Sequence, residues 1–156
     1  MKKSILTSAI LAAIIAFTSA RIARAQSLSG TDYAEINMLY SRYAYAFDSS
    51  DGAMFASVFT DDGEFVAGAL TTKGRSALTA MASRGPKKER PKIFHVTVNV
   101  LITPSPEGAK GSAYVMLVDL AKNPVISGGG VYNDVIVKTT EGWRFKKRSY
   151  FVEAPQ

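Results

Sequence analysis

The chain has no cysteine and only one histidine, His95, among its 156 residues. The first absence removes disulfides, thiolate metal sites and a cysteine nucleophile. The second removes a zinc centre built on several imidazoles. No Walker loop, G-x-S-x-G elbow or Rossmann glycine fingerprint occurs. The glycines at 128–130 are no phosphate cradle, because the run they open reads as a strand and supplies no helix N-terminus. A bulge or a close backbone approach is the expected reason for them. Neither a cofactor nor a metal is expected.

Long apolar runs are scarce too. Lys2 and Lys3 precede the run ILTSAILAAIIAF, which ends before Ala23-Arg24-Ala25, a small-x-small cleavage site. With Ser and Thr inside it, the run is short for the about 20 solidly apolar residues that span a bilayer. Residues 1–25 are therefore expected to be a signal peptide and 26–156 one domain, periplasmic or secreted, with no membrane attachment after cleavage. Removing Lys2, Lys3, Arg21 and Arg24 leaves 15 basic side chains against 13 acidic ones, a net charge of +2 instead of +6. That small excess argues against nucleic acid as a partner. The remaining basic cluster, GPKKERPK (85–92), is bracketed by prolines and reads as a solvated loop.

Helices come first and strands follow. Ser29 or Thr31 can cap a helix whose Ile36, Tyr40, Tyr43 and Phe47 share one face and which runs to about Asp48. Asp51 can cap a short second helix, GAMFASVF. TDDG (60–63) reads as a turn into a short strand, EFVAG, and Gly74 opens a helix around RSALTAMA. From Ile93 the pattern is strand: IFHVTVNVLITP, GSAYVMLVDL, GGVYNDVIVKT and WRFKKRSYFVE, joined by turns at PEG and EG. This order predicts an α+β domain with helices packed on one face of an antiparallel meander. Trp143 is expected as a core anchor.

On the strand from Ile93, alternation puts Phe94, Val96, Val98, Val100 and Ile102 on one face and His95, Thr97 and Asn99 on the other. The polar face either lines a cavity under the helices or is the wet side of a half-exposed sheet. Asp48 is likewise either a solvated helix end or a pocket carboxylate. His95 is either a packed core histidine or a base.

The succession RYAYAFDSSD, VFTDDGEF, HVTVN and GVYNDVIVKTTEGWRFKKR resembles the SnoaL-like branch of the NTF2-like superfamily over nearly all of residues 26–156. That group includes scytalone dehydratase and hexachlorocyclohexane dehydrochlorinase, with polyketide cyclases and isomerases in its wider circle. The resemblance implies a cone-shaped α+β barrel with a pocket between helices and sheet. It also implies that Asp48 orients His95, which serves as general base in a cofactor-independent lyase or isomerase. The substrate would be a small hydrophobic or aromatic molecule, with Tyr43, Phe47, Tyr114 and Asn133 as candidate substrate-binding residues. The second histidine of the dehydratase and the lysine of the dehydrochlorinase have no counterparts, and Phe47 stands where the dehydratase has a tyrosine. What carries over is the dyad. The rival expectation is a non-catalytic pocket protein that binds a hydrophobic ligand or serves as an assembly subunit. The apolar outer face predicts a homo-oligomer, a trimer before a dimer.

Overall fold

A computed structural model describes residues 27–84, 91–121 and 123–152. The signal-like residues 1–25 and most of the basic cluster at 85–92 lie outside these. Helix α1 (Gly30–Asp48) begins where the sequence places a cap: Ser29 Oγ accepts from the Asp32 amide at 3.2 Å and Asp32 Oδ2 accepts from the Ser29 amide at 2.9 Å. This capping box satisfies two of the orphan donors of the first turn. Asp32 Oδ1 also accepts from Lys138 Nζ at 2.7 Å and from the Trp143 indole at 3.0 Å, tying the helix start to the far end of the sheet. Lys138 first and the Ser29 cap next hold the Asp32 carboxyl well below its ordinary value.

Helix α2 (Gly52–Ser57) follows with Asp51 as cap, then strands β1 (Phe59–Ala67) and β2 (Leu70–Lys73) and helix α3 (Arg75–Ala82). One expectation fails here and one element was not foreseen. TDDG is no turn but part of β1, whose pairing with the last strand shifts register between Phe59 and Glu64 and absorbs these polar residues. The four residues of β2, too short for a periodicity signal, pair antiparallel with β1. Strands β3 (Ile93–Ser105), β4 (Gly108–Asp119), β5 (Val125–Thr139) and β6 (Gly142–Phe151) form the expected meander. The curved six-stranded sheet has the order β2-β1-β6-β5-β4-β3, antiparallel except where β6 meets β1.

β3 is not one regular strand. Asn99 has φ 53°, a left-handed conformation that asparagine tolerates, and Asn99 with Val100 together oppose Ala113 alone. This bulge exchanges the two faces. Before it, His95 and Thr97 point inward and Phe94, Val96 and Val98 outward. Beyond it, Val100 and Ile102 turn inward to the core while Leu101 stands 64% exposed outside. The expected five-residue outer stripe is therefore corrected at Val100 and Ile102.

The core's centre is charged. Arg148 and Asp134 face each other across β6 and β5, and both are buried. Arg148 Nε and Nη2 donate to the two Asp134 oxygens at 2.9 and 2.8 Å, and the Tyr40 phenol donates to Asp134 Oδ2 at 2.6 Å. Gly111 is required under this phenol, since a Cβ there would lie 2.1 Å from Tyr40 Oη. The guanidinium carbon sits 3.9–4.6 Å from the ring centres of Phe145, Tyr132, Tyr43 and Tyr40. Those ring faces stand in for the hydrogen-bond partner that the buried Nη1 lacks among the described residues. Burial works against the Arg148 charge, yet the Asp134 carboxylate outweighs it and the pKa lies above its ordinary value. Breaking such a pair strands a buried charge at a cost of about 3–5 kcal/mol, whereas replacing both partners by apolar groups is often neutral. Arg148→Met should therefore lose about that much in urea unfolding, and the Arg148→Met/Asp134→Leu double variant should recover most of it. An equal loss in both would show that packing, not charge, sets the cost.

Candidate active site

Asp48 is the last residue of α1, at the end where a carboxylate meets the negative pole of the helix dipole, and no basic residue lies in that turn. Its partners come instead from the start of β3. Asp48 Oδ2 accepts the His95 backbone N–H at 3.0 Å, and Oδ1 lies 2.5 Å from His95 Nδ1. Both oxygens thus engage one residue 47 positions away. The side chains are 10% and 14% exposed, which removes most competing water. The Phe47 ring stands nearly perpendicular to the imidazole, 5.0 Å between centres, and the Arg84 guanidinium lies 5.7 Å from the centre of that phenyl ring.

Because Nδ1 faces the carboxylate, the neutral imidazole keeps its proton there and leaves the Nε2 lone pair free. Among the described residues nothing hydrogen-bonds to Nε2. The pair borders a groove of about 750 Å³ between α1 and β3, lined also by Met38, Ala44, Tyr45, Thr97 and Val100. The polar helix residues on its wall are already engaged by their own helix: Asn37 Nδ2 donates to Tyr33 O, Ser41 Oγ to Asn37 O and Ser49 Oγ to Tyr45 O. What remains beside the Tyr45 phenol is the carboxylate and imidazole of Asp48 and His95, set in a wall that also carries Met38, Ala44 and Val100.

The structure brings together Asp48, His95 and Phe47 of the candidate residues. Tyr43 sits behind Phe47 in the core, 2% exposed, its ring stacked on Phe47 at 6.3 Å. Burial, then the neighbouring Tyr132 phenol, drives its pKa well up, so Tyr43 is a packing residue rather than an acid. Burial likewise pushes Tyr132 up to about 12. Tyr114 and Asn133 are corrections. Tyr114 pairs with Val98 and is 54% exposed on the outer face, because its strand neighbours Ala113 and Val115 are the inward ones. Asn133 alternates with the inward Tyr132 and Asp134. It lines a separate outer depression of about 350 Å³ together with Lys110 and Lys147.

Three residues of consequence, Thr97, Arg148 and Asp134, were not singled out from the sequence. Thr97 was visible as an inward polar position beside His95. The Arg148–Asp134 pair carried only a faint signal, opposite charges at inward positions of two strands that a turn joins. The glycine run behaves as expected: a Cβ on Gly130 would lie 2.2 Å from Phe151 O, and one on Gly129 2.8 Å from Val115 O.

A family profile described as SnoaL-like domain matches residues 29–149. No curated protein sequence matches the chain. Among solved structures, a Mycobacterium tuberculosis protein of unknown function is 26% identical over 79% of this chain and 72% of its own, with a TM-score of 0.69. A scytalone dehydratase-like protein from Novosphingobium aromaticivorans is 22% identical, covering 80% of this chain and 85% of its own at a TM-score of 0.63. ActVI-ORFA from Streptomyces coelicolor is 22% identical over 78% of this chain and 97% of its own, at a TM-score of 0.68.

The geometry fixes a tautomer. Nitrogen-15 spectra of neutral His95 should show a protonated Nδ1 and a bare Nε2, and Asp48→Asn should mix the two forms. A wild-type signal from the Nε2-protonated form would contradict the arrangement.

Proposed function

The chain belongs to the SnoaL-like domain family, and on that premise we propose that it is a cofactor-independent lyase or isomerase in which His95 removes a proton and Asp48 orients it. The observation that carries this reading is the two-point grip of Asp48 on His95 beside an open groove. A carboxylate on Nδ1 holds the imidazole with its Nε2 lone pair turned outward and places a counter-charge beside the imidazolium formed when Nε2 takes a proton. The lining suits a small molecule with a hydrophobic or aromatic body and few polar atoms. Dehydration, elimination of another leaving group and isomerisation all begin with this proton transfer.

A positioned general base contributes roughly 10²–10⁴ in rate. On the substrate found by screening aromatic and terpenoid compounds, His95→Gln should lower kcat by that order. Asp48→Asn should lower it by about 10-fold or more, because the wrong tautomer is populated. Both variants should melt within a few degrees of the parent. Full turnover by His95→Gln would sink the catalytic reading; ligand binding with no turnover by the parent would favour the pocket-protein alternative.

The reading extends to assembly and location. Residues 1–25 serve as an export signal, and the mature chain forms a homo-oligomer, a trimer before a dimer, through the outer sheet face. What supports this is the apolar set on that face: Phe94, Val96, Val98, Tyr114, Met116 and Phe151, with Tyr114 and Phe151 more than half exposed. Isolated monomers seldom show so contiguous a patch. Light scattering of residues 26–156 at micromolar concentration should report an oligomer, and Val98→Lys should dissociate it, since an ammonium buried there would lack a partner. A parent that scatters as a monomer would refute the assembly.

A further inference from the structure

Two side-chain polar atoms are buried without a hydrogen-bond partner among the described residues: Arg148 Nη1 and Thr97 Oγ1. The first lies against four aromatic faces, as described above. The second has no such account. Thr97 stands two residues from His95 on the same inward face of β3, and its partner in register on β4 is Val115, buried and apolar. A valine would fill this space with no orphaned hydroxyl. Yet Thr97 also lines the groove that Asp48 and His95 border. The oxygen is thus turned away from a groove that the rest of its own residue touches. A staggered rotation about χ1 exchanges the oxygen with the methyl or the hydrogen and brings the hydroxyl to the groove.

We infer that the Thr97 hydroxyl is a second recognition point for the ligand, taking a hydrogen bond when the groove is filled. Residues two apart on a strand stand about 6.6 Å from each other. The ligand therefore carries two polar positions about a ring's width apart, one at His95 Nε2 and an oxygen at Thr97. This selects oxygenated ring compounds over pure hydrocarbons. It rests on the acid–base reading only in taking the groove as the ligand site, and it makes Thr97 a positioning residue.

The test needs no turnover. Hydroquinone and p-cresol have the same shape and differ by a hydroxyl in place of a methyl, so an NMR titration of the full domain with each isolates the second oxygen. The parent should bind hydroquinone about fivefold tighter than p-cresol, the worth of one hydrogen bond. Thr97→Val should abolish that preference, leave p-cresol affinity unchanged and melt no lower than the parent. Thr97→Ser should retain the preference. Equal affinities in the parent, no binding of either probe, or a preference that survives in Thr97→Val would each overturn the inference. Should Thr97→Val lose the preference while His95→Gln keeps full turnover, the recognition point stands and the acid–base reading falls.

Discussion

The ion pair of Arg148 and Asp134 is the constraint on which the rest of the arrangement depends. It lies in the middle of the sheet, wholly removed from water, where a charge is tolerated only when an opposite charge and well-placed polar or aromatic neighbours offset its desolvation. That requirement reaches out of the sheet through the Tyr40 phenol, which must meet Asp134, and so fixes where α1 crosses the strands. Gly111 leaves the hole into which the phenol fits. Asp48 follows eight residues later on the same helix, about 12 Å along its axis. A rod pinned at Tyr40 and at the Asp32 cap delivers its final carboxylate to the first residues of β3 with little freedom in angle. The separation of tasks follows: the inner charges hold the frame, and the outer carboxylate is left to engage His95.

Asp48 itself conflicts with its local setting. A carboxylate at a helix C-terminus is disfavoured by a few tenths of a kcal/mol to about 1 kcal/mol, and sequences that fold well usually avoid such conflicts except where function imposes them. Here the conflict is offset by two donors of one distant residue. Neither donor can be replaced by water without opening the contact between α1 and β3. The same grip therefore joins helix to strand and sets the proton on the imidazole.

Much of this was legible in the sequence, and the part that was not shares one cause. The caps at Ser29 and Asp51, the four long strands and the burial of Trp143 follow from local chemistry and periodicity, and all are present. The pairing of Asp48 with His95 was accessible only through resemblance, because no local rule joins positions 47 apart. Tyr114 was misplaced on residue type and Asn133 on the resemblance, whereas side-chain alternation on β4 and β5 sends both outward. β2 was missed for its brevity. The bulge at Asn99 went unread because an unbroken alternation of apolar residues continues on either side of it, and one inserted residue reverses every assignment beyond.

That bulge divides β3 into two segments under different structural constraints. The segment before Asn99 presents His95 and Thr97 to the groove, while the segment after it sends Val100 and Ile102 into the core and holds its pairing to Gly111 and Ser112. Because the irregularity absorbs a change of register, substitutions that reshape the first segment need not propagate into the second. Selection can thus alter what the groove accepts without renegotiating the packing beneath it. A strand uninterrupted over its 13 residues would transmit each such change along its whole length.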